Sequence, residues 1–583
     1  MVKDIISASA LAAVLTFFAI APDGLALDRV RSSVHVDALH SGIQTTNGLQ
    51  TYTGRGVVVG IIDYGFDYTH PAFRSADLSE LRIRRVWEQG AEGQAPAAYG
   101  YGLEMTEASE ILAAGGDITD NSHGTHVACI AAGQDISATG IDCPYYGMAP
   151  DADLVLVSIN GREDDDHLNI IDAIHYVFDY ADAVGKPAVV NMSLGTYNGP
   201  HDGTSAFDAA LAGLPSPGHV IVASVGNSGA TQSHLSREFN GVADTLRTLI
   251  VPKASTYKQG YIDIWGDAGM EFGVIISTVN SSATNASAGK DVETTDLHWV
   301  GGAQADGCTY SDELAFSSTA NKAVKMTVKT EVNARNGRPH IYIDFGDDGL
   351  GARNNYSVAL SIISSSTGTV HAWCEDTYIN FGSRNDRMAA LGYMDGDAEY
   401  SFTELGGTSR DIISVGAWCD REASGETVGE VCTFSSSGTL PDGTSKPDVL
   451  APGAFIASAF SANDTYRAYY TEALTASWAD NAVYYYYDSG TSMAAPCVAG
   501  VVATWLQADA TLTVSDVLSL TPTGKVDALA GLQQILEAMS VETIDHDAAG
   551  ADAGQSYDLM GRQNCGTSRG FYVRNGRKYV IIR

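Results

Sequence analysis

Four short runs of this chain are almost wholly apolar: VVVGIID ending at Asp63, ADLVLVSI starting at Ala152, KPAVVNMSL ending at Leu194 and HVIVASVGN ending at Asn227. A strand with one face in water alternates apolar and polar residues, whereas a strand covered on both faces does not. Helical stretches at 168–183 and 206–214 separate the later runs. Strands alternating with helices predict a mostly parallel sheet with helices on both faces, an α/β fold. With 583 residues and 45% hydrophobic content, the chain can bury such a core and carry a further module.

The texture changes near Ser233. GYIDIWGD, FGVIIST, VKMTVKTEV, PHIYIDFGD and YSVALSIISS alternate or are β-branched, with Gly, Asn, Asp and Ser turns between them, which predicts an all-β sandwich. The α/β texture resumes at RDIISVGAW and runs through KPDVLAPG to a helix beginning near Ser492. The expected organisation is a signal peptide at 1–26, an α/β domain in two parts at 27–232 and 405–541, a β-sandwich insert at 233–404, a linker at 542–555 and a C-terminal β tail at 556–583.

Charge and targeting signals narrow the function classes. The formal net charge is −36 and Lys and Arg accumulate in no run, so a nucleic-acid backbone is not an expected partner. Lys3 precedes an apolar run from Ile5 to Ile20, followed by Pro22 and the small-residue pattern Gly24-Leu25-Ala26. That pattern predicts a cleavable export signal, and no later segment predicts a transmembrane span. An exported chain would be extracellular, periplasmic or at the cell surface. Its eight cysteines contain no CxxC pair, which argues against structural zinc. Cys419 and Cys432 enclose the shortest loop of the later half, but spacing alone leaves the pairing open. Cys129 and Cys497 lie in small-residue helical stretches that suit buried free thiols.

Four places carry chemistry, and each has a bland alternative. Asp63 ends a buried strand, where an open α/β sheet gathers its functional groups. A lone strand-end Asp also serves as a turn or helix cap, the role expected of Asp67. His123 opens the small-residue helix of NSHGTHVACIAAG, placed to pass a proton while a carboxylate holds its other nitrogen. His126 lies one turn on, and no third clustered ligand supports a metal there. Ser492 follows Gly490-Thr491 at a tight turn into a helix, whose N-terminus favours developing negative charge, although Ser is also an ordinary N-cap. Asn227 leaves its strand into a glycine-flanked turn, suited to an oxyanion donor and equally to a plain turn.

In the order Asp63, His123, Asn227, Ser492, these motifs resemble the subtilisin-like serine proteases, the subtilases. The resemblance covers residues 38–232 and 405–540 and implies a three-layer subtilisin-like fold with a mostly parallel sheet. It assigns Asp63 as catalytic acid, His123 as general base, Ser492 as nucleophile and Asn227 as oxyanion amide. It places Ser193, Leu194 and Gly195 on the strand that pairs with substrate, and Ala223, Ser224, Val225 and Gly226 on the opposite wall of the pocket for the residue before the cleaved bond. RVWEQG, SLGTYNGPHDGTS and the insert look like the branch with clostridial spore-germination proteases, whose insert is a jelly roll.

The resemblance implies protein or peptide substrates and requires no cofactor. Relatives often have a calcium-ligating Asp directly after a His-Pro pair, where this chain has Ala72 after His70-Pro71, so calcium is unsupported; the acidic loop at 163–166 reads as a solvated charge run. Too few residues separate Ala26 from Asp63 for a usual inhibitory propeptide. The stretch at 516–524 is short for the family, so an edge element is expected to be missing. The tail from Tyr557 resembles β tails of exported Bacteroidetes proteins, with a packed hairpin as the plain alternative. The competing function is a binding or regulatory protein that uses the β insert on a protease scaffold.

Overall fold

The computed structural model describes residues 27–539 apart from 46–47, 118–119, 160–166, 255, 303–306, 317–322, 347–348 and 351–354, and beyond 539 only the backbone of four short strands. The expected signal at 1–26, most of the linker at 542–555, the loop at 163–166 and Cys565 lie outside the described residues.

The apolar runs become neighbours in one sheet. Its strands are β1 (Val58–Asp63), β2 (Ile83–Glu88), β3 (Leu103–Met105), β4 (Asp153–Ser158), β5 (Ala188–Met192), β6 (His219–Ser224), β7 (Ile413–Trp418) and β8 (Val449–Pro452). They lie in the order β8-β7-β6-β5-β1-β4-β2-β3, parallel throughout except for the antiparallel edge strand β3. Every residue of β1, β4 and β5 is buried. Period-two alternation divides β1 between two cores. Val59 and Ile61 join the cluster under the helices α1 (His123–Ala132) and α3 (Thr491–Ala508), whereas Val58 and Ile62 join the cluster under α2 (Leu168–Ala183). Each such side chain contributes roughly 1.5–3 kcal/mol on burial.

Small residues let α1 and α3 cross closely. A Cβ added at Gly500 would lie 2.4 Å from the Ala131 carbonyl oxygen, so only glycine fits that crossing. Ser492 and His123, each at the start of its helix, are thereby fixed to the same packed pair.

The predicted sandwich is present. One sheet is built around Asp244–Pro252, Phe272–Asn280 and Tyr356–Ser364, and the other around Tyr261–Gly266, Ala323–Val332 and Pro339–Asp344. Phe272, Ile276 and Leu360 from the first meet Ile264, Val328 and Ile341 from the second in one core. Burial alternates along Ala323–Val332, as the VKMTVKTEV pattern requires. The insert's two ends are joined: His234 N–H donates to the Asp397 carbonyl at 3.2 Å, and Asp397 N–H to the His234 carbonyl at 2.8 Å.

Several elements differ from expectation. Between KPDVLAPG and α3 the chain forms an antiparallel sheet of β9 (Ile456–Phe460), β10 (Thr471–Trp478) and β11 (Asn481–Asp488), where α/β texture was expected to continue. Ahead of Tyr52 the chain holds the helices Leu27–Ser33 and Val36–Ser41 and the hairpin Ile43–Thr45 with Gly48–Gln50. The shortened stretch near 516 is a helix, Val514–Ser519, with a capping box at Thr513 and Asp516. In the tail, Gly570–Arg574 pairs with Arg577–Ile581, which also pairs with Val541–Thr543.

Cys129, Cys143, Cys374 and Cys497 are buried thiols, and the buried Cys419 and Cys432 share a hydrogen bond.

Candidate active site

All four chemistry-bearing residues gather at the carboxyl edge of the parallel sheet, where strands end and helices begin. Asp63 is the last residue of β1 and His123 the first of α1. The His123 Nδ1–H donates to Asp63 Oδ1 at 2.7 Å, and the Tyr64 N–H donates to the same oxygen at 2.8 Å. The Asp63 side chain is fully buried and that of His123 is 10% exposed, so the pair is shielded without being sealed from the cleft.

The surroundings of His123 orient it. Its own N–H donates to Asn121 Oδ1 at 2.7 Å, and the Tyr64 ring stacks on the imidazole at 5.5 Å with an angle of 14°. Burial pulls the imidazole pKa down, but the Asp63 carboxylate more than offsets this, and the net shift is upward. Asp488, the last residue of β11, adds to that upward pull; burial raises its own carboxyl to about 6.

Ser492 is the second residue of α3. Its Oγ–H donates to the Ser193 carbonyl at 3.4 Å, while the Ser193 hydroxyl donates to the Ser492 carbonyl at 2.8 Å. The nucleophile candidate is therefore bonded to the expected substrate strand. Catalytic hydrogen bonds are often completed only when substrate arrives.

Asn227 is exposed three residues beyond β6, and its orientation is dictated by Thr491. The Thr491 N–H and Oγ–H both lie on Asn227 Oδ1, at 2.8 and 3.0 Å. With the oxygen so engaged, Nδ2 is left to donate elsewhere. Thr491 also meets Gly226 through its hydroxyl, at 3.1 Å to the carbonyl and 3.2 Å from the N–H. Sequence reasoning treated Thr491 only as part of a tight turn; its neighbour position to Ser492 was the one available signal.

The two expected walls also face each other. Ser193, Leu194 and Gly195 continue directly from β5, and Ala223 and Ser224 end β6 before Val225 and Gly226. A short segment bridges them: the Thr403 N–H donates to the Val225 carbonyl and the Glu404 N–H to the Thr196 carbonyl, each at 2.9 Å. The insert braces the first wall from outside. Buried Asp263 accepts from the Gly199 N–H and from Trp265 Nε1–H, both at 2.7 Å, and pairs with His340; Arg338 pairs with Asp202.

Asp67 and His126 are engaged elsewhere. Asp67 Oδ1 accepts from the Thr69 N–H at 2.9 Å in a turn. His126 is buried with Nε2 against the Ile456 and Tyr486 carbonyls at 3.1 Å, and burial lowers its pKa to about 3.

The chain is similar to known proteins in sequence and in fold. The sequence profile of the Subtilase family matches residues 54–539. The C5a peptidase of Streptococcus pyogenes serotype M3 (strain ATCC BAA-595 / MGAS315) is 34% identical over 191 residues, 30% of this chain and 15% of that protein. Serine protease AprX of Bacillus subtilis (strain 168) is 38% identical over 118 residues, 20% of this chain and 25% of that protein. The chain thus matches only a small part of the length of these relatives. In fold it is similar to the Clostridium perfringens CspB protease, with a TM-score of 0.60 at 18% identity, covering 87% of this chain and 99% of that one.

Proposed function

This chain belongs to the subtilase family, and from that premise we propose that it is an exported serine endopeptidase that cleaves protein or peptide substrates through an acyl-enzyme. The observation that carries this reading is the shielded Asp63–His123 hydrogen bond of 2.7 Å, at the same sheet edge as a helix-opening serine and an exposed amide. Export is inferred from Lys3 and the apolar run that follows it. Among the described residues no helix is long and apolar enough to cross a membrane.

On substrate binding the Ser492 Oγ–H turns from the Ser193 carbonyl to His123 Nε2. Oγ attacks the scissile carbonyl carbon as Nε2 takes its proton, and Asp63, accepting from Nδ1–H, fixes the tautomer and stabilises the imidazolium. The carbonyl electron pair moves onto oxygen, where Asn227 Nδ2–H and the Ser492 N–H receive it. As the carbonyl re-forms, the C–N bond breaks and the imidazolium gives its proton to the departing amine. Water then attacks the ester with His123 again as base, releasing the acid and restoring Ser492. These steps need neither metal nor cofactor. The peptide lies extended along Ser193, Leu194 and Gly195, bound by main-chain hydrogen bonds, so side-chain pockets set specificity.

A fluorophosphonate probe is expected to label Ser492, and Ser492→Ala is expected to abolish both labelling and peptide hydrolysis. A purified protein that neither takes the probe nor cleaves any member of a peptide library would instead be a binding or regulatory protein using the β insert on this scaffold.

A further inference from the structure

The space between the two walls is occupied. Gly195 is exposed on one wall and Gly226 is buried on the other. A Cβ added at Gly195 would lie 2.6 Å from Thr403 Cγ2, and one added at Gly226 would lie 2.8 Å from the same methyl carbon. One methyl group therefore fills the gap that two glycines leave between the walls. Thr403 is buried, only 4% exposed, so it closes the gap from below.

Nothing around Thr403 allows it to withdraw. Its backbone and that of Glu404 are bonded to both walls. The preceding Phe402 is fully buried with Val225 and Leu440. Beyond Gly226, Ser436 completes the floor: its N–H donates to the Gly226 carbonyl at 3.0 Å and its hydroxyl accepts from the Ser228 N–H at 2.8 Å. The Thr403 hydroxyl itself is buried without a hydrogen-bond partner.

We infer that Thr403 is a specificity-determining residue: it floors the pocket for the side chain before the cleaved bond and restricts the enzyme to substrates with glycine, alanine or serine there. The inference rests on the endopeptidase reading and adds its substrate class. A phenyl ring or a leucine side chain would have to occupy the volume of the Thr403 methyl and displace a segment fastened at both sides. Even one misplaced methylene in a filled pocket changes selectivity by about 10–200-fold. A whole ring is accordingly expected to lower kcat/KM by at least about 100-fold relative to alanine.

The test compares tetrapeptide p-nitroanilides that differ only in a terminal Ala, Leu or Phe, on the full chain, alongside fluorophosphonate labelling of Ser492. The wild-type protein is expected to favour Ala over Phe by about 100-fold or more in kcat/KM. Thr403→Gly, which opens the gap, is expected to lower that ratio at least about tenfold, whereas Thr403→Val, which keeps the branched volume, is expected to keep it. The Thr403 side chain accepts no cap hydrogen bond from the short helix Glu404–Gly407, so neither variant removes one. A labelled wild-type enzyme that prefers Phe or Leu overturns the inference and leaves the endopeptidase reading intact, as does a labelled Thr403→Gly enzyme with an unchanged ratio. Absence of both labelling and hydrolysis in the wild type overturns both.

Discussion

Replacing Asp263 with asparagine should weaken the insert by an amount that depends on pH in a definite direction. The fully buried carboxylate holds three donors: the Gly199 N–H and Trp265 Nε1–H on Oδ2 and His340 Nε2 on Oδ1. Burial pulls the His340 pKa down, but Asp263 and Glu331 overcome it and raise the imidazole to about 9. Because the folded value lies above the unfolded value near 6.5, the stabilisation is fully present below about pH 6.5 and is lost as pH rises through about 9. A rise from about 6.5 to about 9 amounts to about 3 kcal/mol near pH 6 and almost nothing at pH 10. Asparagine can keep its oxygen toward Gly199 and Trp265 only by turning its amide toward His340, which must then be neutral. For an insert of this size the loss corresponds to roughly 6–12 °C in its unfolding midpoint at pH 6. Thermal unfolding followed by circular dichroism, in a Ser492→Ala background to prevent self-cleavage, reads it directly. Equal midpoint losses at pH 6 and pH 10 would refute the charge-based account.

Asn227→Ala removes the aimed amide and is expected to lower kcat by about 10²–10³-fold with little change in KM; a smaller effect on kcat than on KM would assign Asn227 to ground-state binding. His123 must be neutral to act as base, and its raised pKa places the ascending limb of kcat/KM above the ordinary histidine value. Since the Asp488 carboxylate contributes to that rise, Asp488→Asn should move the limb to lower pH, and a limb that stays or moves upward in a pH–rate profile would contradict this.

What the sequence revealed and what it hid divide along a physical line. Burial on both faces leaves a visible mark, which is why β1, β4, β5 and β6 could be read from unbroken apolar runs, and why Asp63 and Asn227 stood out at their ends. The β9–β11 sheet leaves no such mark. Burial along β10 runs through half-exposed and exposed residues, and the four tyrosines 484–487 read as one aromatic block rather than an alternation. The floor of the pocket was hidden for a different reason. Thr403 is distant in sequence from both Gly195 and Gly226, and no local pattern distinguishes a threonine that fills a gap from one that caps a turn. Thr491 sits beside a motif that was read, yet its grip on Asn227 Oδ1 spans 264 residues of sequence, most of them the insert, and shows only as a distance.

The closed ends of the insert bear on how the chain reaches this fold at all. β6 and β7 are neighbours in the central sheet, but the whole sandwich lies between them in sequence. Pairing them from an open chain means closing one very long loop, the kind of non-local contact that slows folding. Once the sandwich has formed, the hydrogen bonds between His234 and Asp397 bring its two exits together, and the loop left to close shrinks to the few residues on either side. An insert that folded first would shorten the search for the β6–β7 contact, and it would hold the Thr403–Glu404 segment close to the two walls that this segment bridges.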